Sequence, residues 1–427
     1  MTPVIPILAI LVLIVAAMRV YERVRLDRHR RQIPIRIHVN GTRGKSSCTR
    51  LIGGALRGGG LRVVAKATGT APRIIYEDGS EIPLHRLGKP NLREQFHVMG
   101  LAAARQPDAL VIECMAVNPH YQWLAEHRIV QATIGVITNA RADHLDVMGP
   151  TEEDVALALC GTIPKRGRVV TCERRHLAIF HRCAAELGAE VVPVTVEDVA
   201  DVPDELMQRF TYYEHKENVA LALKVAALCG VARDRAIAGM LAATPDAGAF
   251  SLYRVDFFGR DMIFAQGFAA NDPESSQRIW DLTIQAFPEV TRRIVVLNLR
   301  ADRADRSRQL GEAVATWAHV DRVVIMGTGT QIAAREAVAA GLDPLRLVFA
   351  EDASAPDVFE QIVALVEDSA VIVGIGNVAG AGLPLVGLFR NRGRRVPLTR
   401  FFGPLRSTAE HPQPTPPPGV QEVSPRG

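Results

Sequence analysis

The stretch Ile35-Arg-Ile-His-Val-Asn-Gly-Thr-Arg-Gly-Lys-Ser-Ser-Cys-Thr-Arg50 constrains this chain more than any other. Ile35, Ile37 and Val39 alternate with Arg36, His38 and Asn40, the period of a short strand. Gly41-Thr-Arg-Gly-Lys-Ser-Ser47 follows, and Leu51, Ile52, Ala55 and Leu56 then recur at helical spacing. Strand, glycine loop, Lys-Ser and helix, in that order, are the parts of a phosphate-binding loop. Gly41 and Gly44 let the backbone turn so that its N–H groups face an anion, and the helix N-terminus adds partial positive charge. Lys45 is positioned to reach terminal phosphates and Ser46 to hold Mg²⁺. Val39 stands where the full G-x-x-x-x-G-K-[ST] pattern has its first glycine. The flanking elements still make nucleotide binding the expectation.

A chain of 427 residues, 48% hydrophobic and 22% charged, suits an α/β protein of two to three domains. The formal charge of +4 is small, and much of the excess lies near the two ends, so no nucleic-acid partner is expected. Cysteines 48, 114, 160, 172, 183 and 229 show no C-x-x-C or metal-finger spacing, which points to reduced thiols.

The N-terminus is apolar from Val4 to Ala17 apart from Pro6. As a helix, residues 4–18 would rise about 22 Å, short for a span but sufficient with snorkelling flanks. No basic residue precedes the run, whereas Arg19, Arg23, Arg25, Arg28, Arg30 and Arg31 follow it. That asymmetry argues against a signal peptide and places the following residues in the cytoplasm. The expectation is a single transmembrane anchor over 4–20, in the inner (cell) membrane. At the other end, residues 407–427 read as a disordered Pro-rich tail.

Between these ends, strands alternate with helices. Residues 61–65 read as a strand running into the small-residue loop Thr68-Gly-Thr-Ala-Pro72. Residues 76–91 read as a polar stretch with a loop, and 92–104 as a helix. Asp108-Ala-Leu-Val-Ile-Glu113 reads as a strand buried on both faces, with Glu113 at its carboxyl end, where open α/β sheets bind ligands. Ser46 and Glu113 would give a hard cation two oxygen ligands. The strand at 132–138 leads into Asn139-Ala-Arg-Ala-Asp-His-Leu-Asp146, a place for a second metal or an acid/base group, with His144 the foremost candidate. The Asn139 to Asp143 spacing disfavours GTP. Residues 168–171 and 190–194 read as strands around a helix at 177–187, and 215–230 as a further helix. The pattern pauses at Thr244-Pro-Asp-Ala-Gly248. Beyond it, strands at 250–258, 260–264, 294–299, 322–326 and 370–375 point to a second, smaller doubly wound domain. The expected architecture is α/β: a P-loop central domain at 33–247 with a mostly parallel sheet, then a Rossmann-like domain at 248–390.

Several of these blocks occur together, in the same order, in one family. Asn40-Gly-Thr-Arg-Gly-Lys-Ser46, Glu113-Cys-Met-Ala-Val-Asn-Pro119, Asp143-His-Leu-Asp-Val-Met-Gly-Pro150, Asn218, Asn271-Asp-Pro273 and Arg300-Ala-Asp-Arg-Ala-Asp-Arg306 resemble the Mur ligases and folylpolyglutamate synthases. The closer likeness is to the poly-γ-glutamate synthase (PgsB/CapB) branch, from the apolar N-terminus to about residue 390. The resemblance implies an ATP-dependent amide ligase using Mg²⁺, in which a carboxylate is phosphorylated and then attacked by an amine. Glutamate and a growing poly-γ-glutamate chain would be the substrates, and other membrane subunits the partners. Lys45 would stabilise the transferring phosphoryl group. Ser46 and Glu113 would hold the first metal, and His144 would match a ligand of the second. Asn40, Gly41, Thr42, Arg43, Gly44, Lys45, Ser46 and Ser47 would line the nucleotide, with Asn218 on the adenine. Asn271, Asp272, Arg300 and Arg303 would meet the substrate.

One departure is plain: many Mur ligases carry a carbamylated lysine after the Asp-His motif, yet 152–160 contains no lysine and the nearest is Lys165. A second metal site would therefore be built differently. The competing class is a P-loop ATPase driving transport or assembly at the membrane. It would leave the Asp143-His144 run without a role.

Overall fold

The computed structural model describes residues 4–69, 71–86, 91–270 and 272–398, with side chains from Ile7 onward. The proposed tail at 407–427 lies outside the described residues. Two sheets account for the architecture. The first contains β1 (Ile35–Asn40), β2 (Val63–Ala67), β3 (Arg73–Ile75), β4 (Glu81–Pro83), β5 (Ala109–Glu113), β6 (Ile134–Ile137), β7 (Arg168–Thr171) and β8 (Glu190–Pro193). Their order is β4-β3-β2-β5-β1-β6-β7-β8. Every pairing from β2 to β8 is parallel, and β3 and β4 add an antiparallel edge.

The alternation in β1 suggested a half-exposed strand, but β1 is central and helices cover both faces, so His38 and Asn40 are buried along with Ile37 and Val39. His38 meets that environment by pairing its Nδ1 with Glu126 Oε2 at 2.8 Å. Glu126 belongs to a π-helical turn, Ala125–Val130. The helix after β1, Lys45–Gly58, buries Cys48 through Leu56. Its glycines pack backbone against backbone on the helix Arg233–Leu241: a Cβ on Gly54 would lie 2.6 Å from the Gly239 carbonyl, and one on Gly58 2.2 Å from that of Arg235.

The second sheet contains β9 (Ser251–Phe257), β10 (Arg260–Gln266), β11 (Arg292–Leu299), β12 (Arg322–Gly327), β13 (Leu347–Glu351), β14 (Ser369–Gly376) and β15 (Arg394–Val396), in the order β13-β12-β11-β14-β10-β9-β15. β13, β12, β11, β14 and β10 run parallel, while β9 pairs antiparallel with both β10 and β15. Both sheets are thus mixed, with parallel centres. The hairpin of β3 and β4, together with β13 and β15, is absent from the sequence reading. These strands lie at or next to the sheet edges; β3, β4 and β15 are three residues long, too short for an apolar run to mark them, whereas β13 carries the run Leu347–Ala350.

The N-terminal helix, Val4–Arg31, runs 28 residues. Its last turns dock: Leu26 and Arg30 are buried, and Arg30 Nε donates to the Ile129 carbonyl at 2.9 Å. Its first turns do not dock, and Leu13 is 68% exposed. Among the described residues no helix is long and apolar enough to cross a membrane, so the expected transmembrane anchor is not found in the fold. The reason is length. The apolar run stops at Met18, and Arg19, Glu22 and Arg23 enter before the roughly 20 apolar residues of a span are reached. What the fold has instead is an exposed apolar helix joined to a docked basic one.

Candidate active site

The carboxyl end of β1 turns through Gly41 (φ 131°) and Gly44 (φ 80°) into the helix Lys45–Gly58. A Cβ on Gly41 would stand 2.0 Å from Thr138 Oγ1, so the loop passes β6 only because that atom is missing. Gly44 occupies the N-cap without a capping side chain, and the first helical turn holds no acidic residue. The first hydrogen bond entering the helix runs from the Cys48 N–H to the Gly44 carbonyl at 2.9 Å. The N–H groups of Lys45, Ser46 and Ser47 therefore point outward at the positive end of the helix, a cradle for a phosphate anion. Lys45 folds back over it, donating from Nζ to the carbonyls of Gly41 at 2.6 Å and Thr42 at 3.2 Å.

Glu113 ends β5 in register with Val39. Its two carboxylate oxygens lie 3.1 and 2.9 Å from Ser46 Oγ, and the Thr68 N–H donates to Oε2 at 2.5 Å. A hydroxyl and a buried carboxylate side by side are oxygen donors of the kind Mg²⁺ takes. With phosphate oxygens from the cradle as further ligands, the residues present fit a nucleotide with its cation.

Asn139, which follows β6, clamps the loop. Its Oδ1 accepts from Thr42 Oγ1 at 2.6 Å and the Arg43 N–H at 3.1 Å, and its Nδ2 donates to the Arg43 carbonyl at 3.2 Å. Its backbone carbonyl also accepts from the Thr42 N–H at 3.0 Å. Asn139, foreseen as part of a second-metal or acid/base cluster, thus holds the loop as well. The sequence carried no signal for it, since the contact joins residues nearly a hundred positions apart.

Other expected residues sit elsewhere. Asn40 turns its amide away from the loop, donating to Gln122 Oε1 at 2.8 Å and Thr162 Oγ1 at 3.2 Å. Asn218, the expected adenine contact, lies beneath the loop: a Cβ on Gly44 would come within 3.0 Å of its Oδ1. Its Nδ2 donates to Glu214 Oε1 at 2.8 Å, and Cys48 Sγ donates to its Oδ1 at 3.3 Å. Burial raises the Glu214 carboxyl to about 7, against the pull of hydrogen bonds from Asn218, the His215 N–H and Tyr212.

His144 caps a short helix in the left-handed region (φ 49°), its Nε2 4.0 Å from Asp143 Oδ1. No contact joins it to Ser46 or Glu113, and among the described residues no three His, Cys, Asp or Glu side chains gather as metal ligands. Of the three expected metal ligands, Ser46 and Glu113 are hydrogen-bonded to each other and His144 faces Asp143; Lys165 is exposed.

From the second sheet, Asp272 caps the helix Pro273–Ala286, accepting the Ser275 N–H at 2.9 Å. Asn271 lies outside the described residues. Arg300 forms a two-pronged pair with Asp302 at 2.9 and 2.7 Å, and Arg303 is exposed. The arginine that faces the loop is one the sequence reading did not single out. Burial, then the charges of Arg303 and Arg43, lower the pKa of Arg306, while Asp143 and Asp272 oppose them. Arg43 lies 4.0 Å from Asp143.

Known proteins resemble this chain in sequence and in fold. Residues 252–392 match the family model described as the poly-gamma-glutamate synthase CapB C-terminal domain. The chain is 36% identical over 356 residues to the capsule biosynthesis protein CapB of Bacillus anthracis, covering 83% of this chain and 76% of that one. It is 34% identical over 375 residues to the PGA synthase CapB of Bacillus subtilis (strain 168), covering 87% and 94%. Among solved structures, E. coli FolC in complex with ADP superposes with a TM-score of 0.63 at 16% identity, over 87% of this chain and 92% of that one. The folylpolyglutamate synthase of Mycobacterium tuberculosis, complexed with ADP and AMPPCP, gives 0.60 at 18% identity, over 87% and 96%. These two likenesses are of fold.

Proposed function

The chain belongs to the poly-γ-glutamate synthase CapB family, and from that premise we propose that it is an ATP-dependent amide ligase adding glutamate to a poly-γ-glutamate chain. The observation that carries the reading is the open helix N-terminus at Lys45–Ser47 beside the Ser46–Glu113 couple. ATP, the co-substrate, supplies the phosphoryl group that converts a carboxylate into an acyl phosphate, from which an incoming amine displaces phosphate to form the amide. The chain's own part is positioning and charge neutralisation. The N–H groups of Lys45, Ser46 and Ser47 hold the phosphates, and Lys45 leaves the loop carbonyls to meet the one that transfers. Ser46 and Glu113 hold Mg²⁺. Thr42 and Arg43, clamped by Asn139, shape the loop, and Arg43 with Arg306, Arg303 and Arg300 forms a basic rim for acidic substrates.

The exposed apolar helix supports a location at the cell membrane. On that reading both sheets stay on the cytoplasmic side, and other membrane subunits of the synthase are partners there. The test is ADP release by membranes carrying the chain, with Mg-ATP and with or without glutamate and polymer, beside Lys45→Ala. Turnover that needs glutamate and disappears in the variant is the expected result. Turnover indifferent to any amino acid would refute the ligase and favour a transport or assembly ATPase.

A further inference from the structure

One carboxylate near the Ser46–Glu113 couple has no role in the mechanism above. Asp246 lies between the helix Arg233–Leu241 and β9, on the connection that joins the two sheets. Its Oδ1 accepts the Gly248 N–H at 2.9 Å, and its backbone carbonyl accepts the Ala249 N–H at 2.9 Å, so the residue shapes its own turn. Its Oδ2 is buried and has no hydrogen-bond partner. Such an oxygen normally finds one, because leaving it desolvated and unpaired is costly.

Gly69, in the loop after β2, shows where that oxygen points. A Cβ built there would stand 2.5 Å from Ser46 Oγ and 2.6 Å from Asp246 Oδ2. The two oxygens are therefore no farther apart than those two distances laid end to end, about 5 Å. Oxygens on opposite sides of one Mg²⁺ lie about 4 Å apart. Glycine at 69 keeps the space between them free of side chain.

The neighbouring cations have carboxylate partners of their own, and Arg50 also reaches Asp246 at ion-pair range through an Nε that has no hydrogen-bond partner. Arg50 pairs with Glu81 and donates to the Thr244 carbonyl at 3.1 Å, and its Nε stops 4.0 Å short of Asp246 Oδ2. Lys66 sits on Glu94 at 2.7 Å. Two carboxylates, Glu113 and Asp246, thus flank an uncharged serine hydroxyl, an arrangement that favours a bound cation.

We propose that Asp246 is a cation-site residue: its Oδ2 joins Ser46 and Glu113 around the divalent ion that accompanies the nucleotide, tying the connection between the sheets to loading of the site. The inference rests on the nucleotide-dependent reading given above. The Gln266 side chain donates to the Ala247 carbonyl, fastening the same turn to β10. Drawing Asp246 onto the ion therefore sets the start of the second sheet as well as the ion's coordination.

Mn²⁺ binding to the full chain, followed by electron paramagnetic resonance of the free ion with and without ADP, tests this directly. The wild type should bind Mn²⁺ more tightly with ADP. Asp246→Asn, which keeps the side chain's shape and the acceptor for Gly248, should weaken that ADP-dependent binding by about 10–100-fold. ADP affinity without metal and the melting temperature should hold. Arg50→Gln removes the competing cation and should leave Mn²⁺ binding equal or tighter. Asp246→Asn binding Mn²⁺ like the wild type would overturn the inference and leave the ligase reading standing. Arg50→Gln weakening Mn²⁺ as much as Asp246→Asn would also overturn it, because Asp246 would then act only through Arg50. A wild type with no ADP-dependent Mn²⁺ site would overturn the nucleotide reading and this inference together.

Discussion

Replacing Asn139 with alanine should weaken nucleotide binding about thirtyfold, and the figure follows from what each lost hydrogen bond leaves behind. The Arg43 carbonyl keeps a partner, because Thr138 Oγ1 donates to it at 2.6 Å. Thr42 Oγ1 turns to the remaining carbonyl of residue 139, 3.4 Å away. The Arg43 N–H loses its bond to Asn139 Oδ1 at 3.1 Å, a loss that costs about 1–3 kcal/mol. If the loop relaxes to rehydrate that group, binding must restore the cradle, and about 2 kcal/mol corresponds to roughly thirtyfold in affinity. Titration of a fluorescent ADP analogue measures it. Asn40→Ala is the control. It removes a more deeply buried amide whose bonds to Gln122 and Thr162 lead away from the loop, so it should lower the melting temperature and change ADP affinity little. Asn139→Ala binding within about threefold of the wild type would show that the backbone bond from Thr42 to residue 139 holds the loop unaided, and the reasoning would be wrong.

Three further outcomes can be checked. The Glu214 carboxyl, raised by burial from 4.5 to about 7, holds its proton more tightly in the folded chain, so that stability is fully present below 4.5 and is lost as pH rises through 7. The loss is at most about 3 kcal/mol. In urea denaturation Glu214→Gln should flatten the decline between those pH values, and curves parallel to the wild type would refute it. Gly41→Ala should abolish ADP binding, because the added methyl would meet Thr138 Oγ1 at 2.0 Å on a backbone with φ 131°, and an unchanged titration would show that β6 yields. Arg306→Gln should raise the KM for glutamate or polymer about tenfold, one lost charge-assisted contact, while ADP affinity holds. An effect on ADP alone would move Arg306 to the phosphates.

The phosphate loop was legible because its parts are contiguous: strand, glycines, Lys45, Ser46 and helix follow one another within 35–58. Glu113 was legible because a buried strand ending in a carboxylate is rare enough to notice. Asn139 and Arg306 lay inside motifs already singled out, yet their work depends on partners brought near by β-sheet order, which spacing does not encode. The seat of Asn218 beneath Gly44 was hidden for the same reason, since family position spoke only of a base and the packing is set by the fold. His144 was named as an imidazole among carboxylates, and its neighbour Asp143 is the one partner the fold adds to that reading.

The close seating of Gly54 and Gly58 on Gly239 also bears on how the protein is made. The helix that presents Lys45 and Ser46 leaves the ribosome early, but the surface that covers its glycine face is complete only with Leu241. Until then the nascent chain carries an uncovered glycine groove and an unfinished phosphate cradle. The apolar N-terminal helix, by contrast, emerges whole within the first 31 residues. Synthesis therefore offers the helix to its surroundings some two hundred residues before the chain is able to hold a nucleotide.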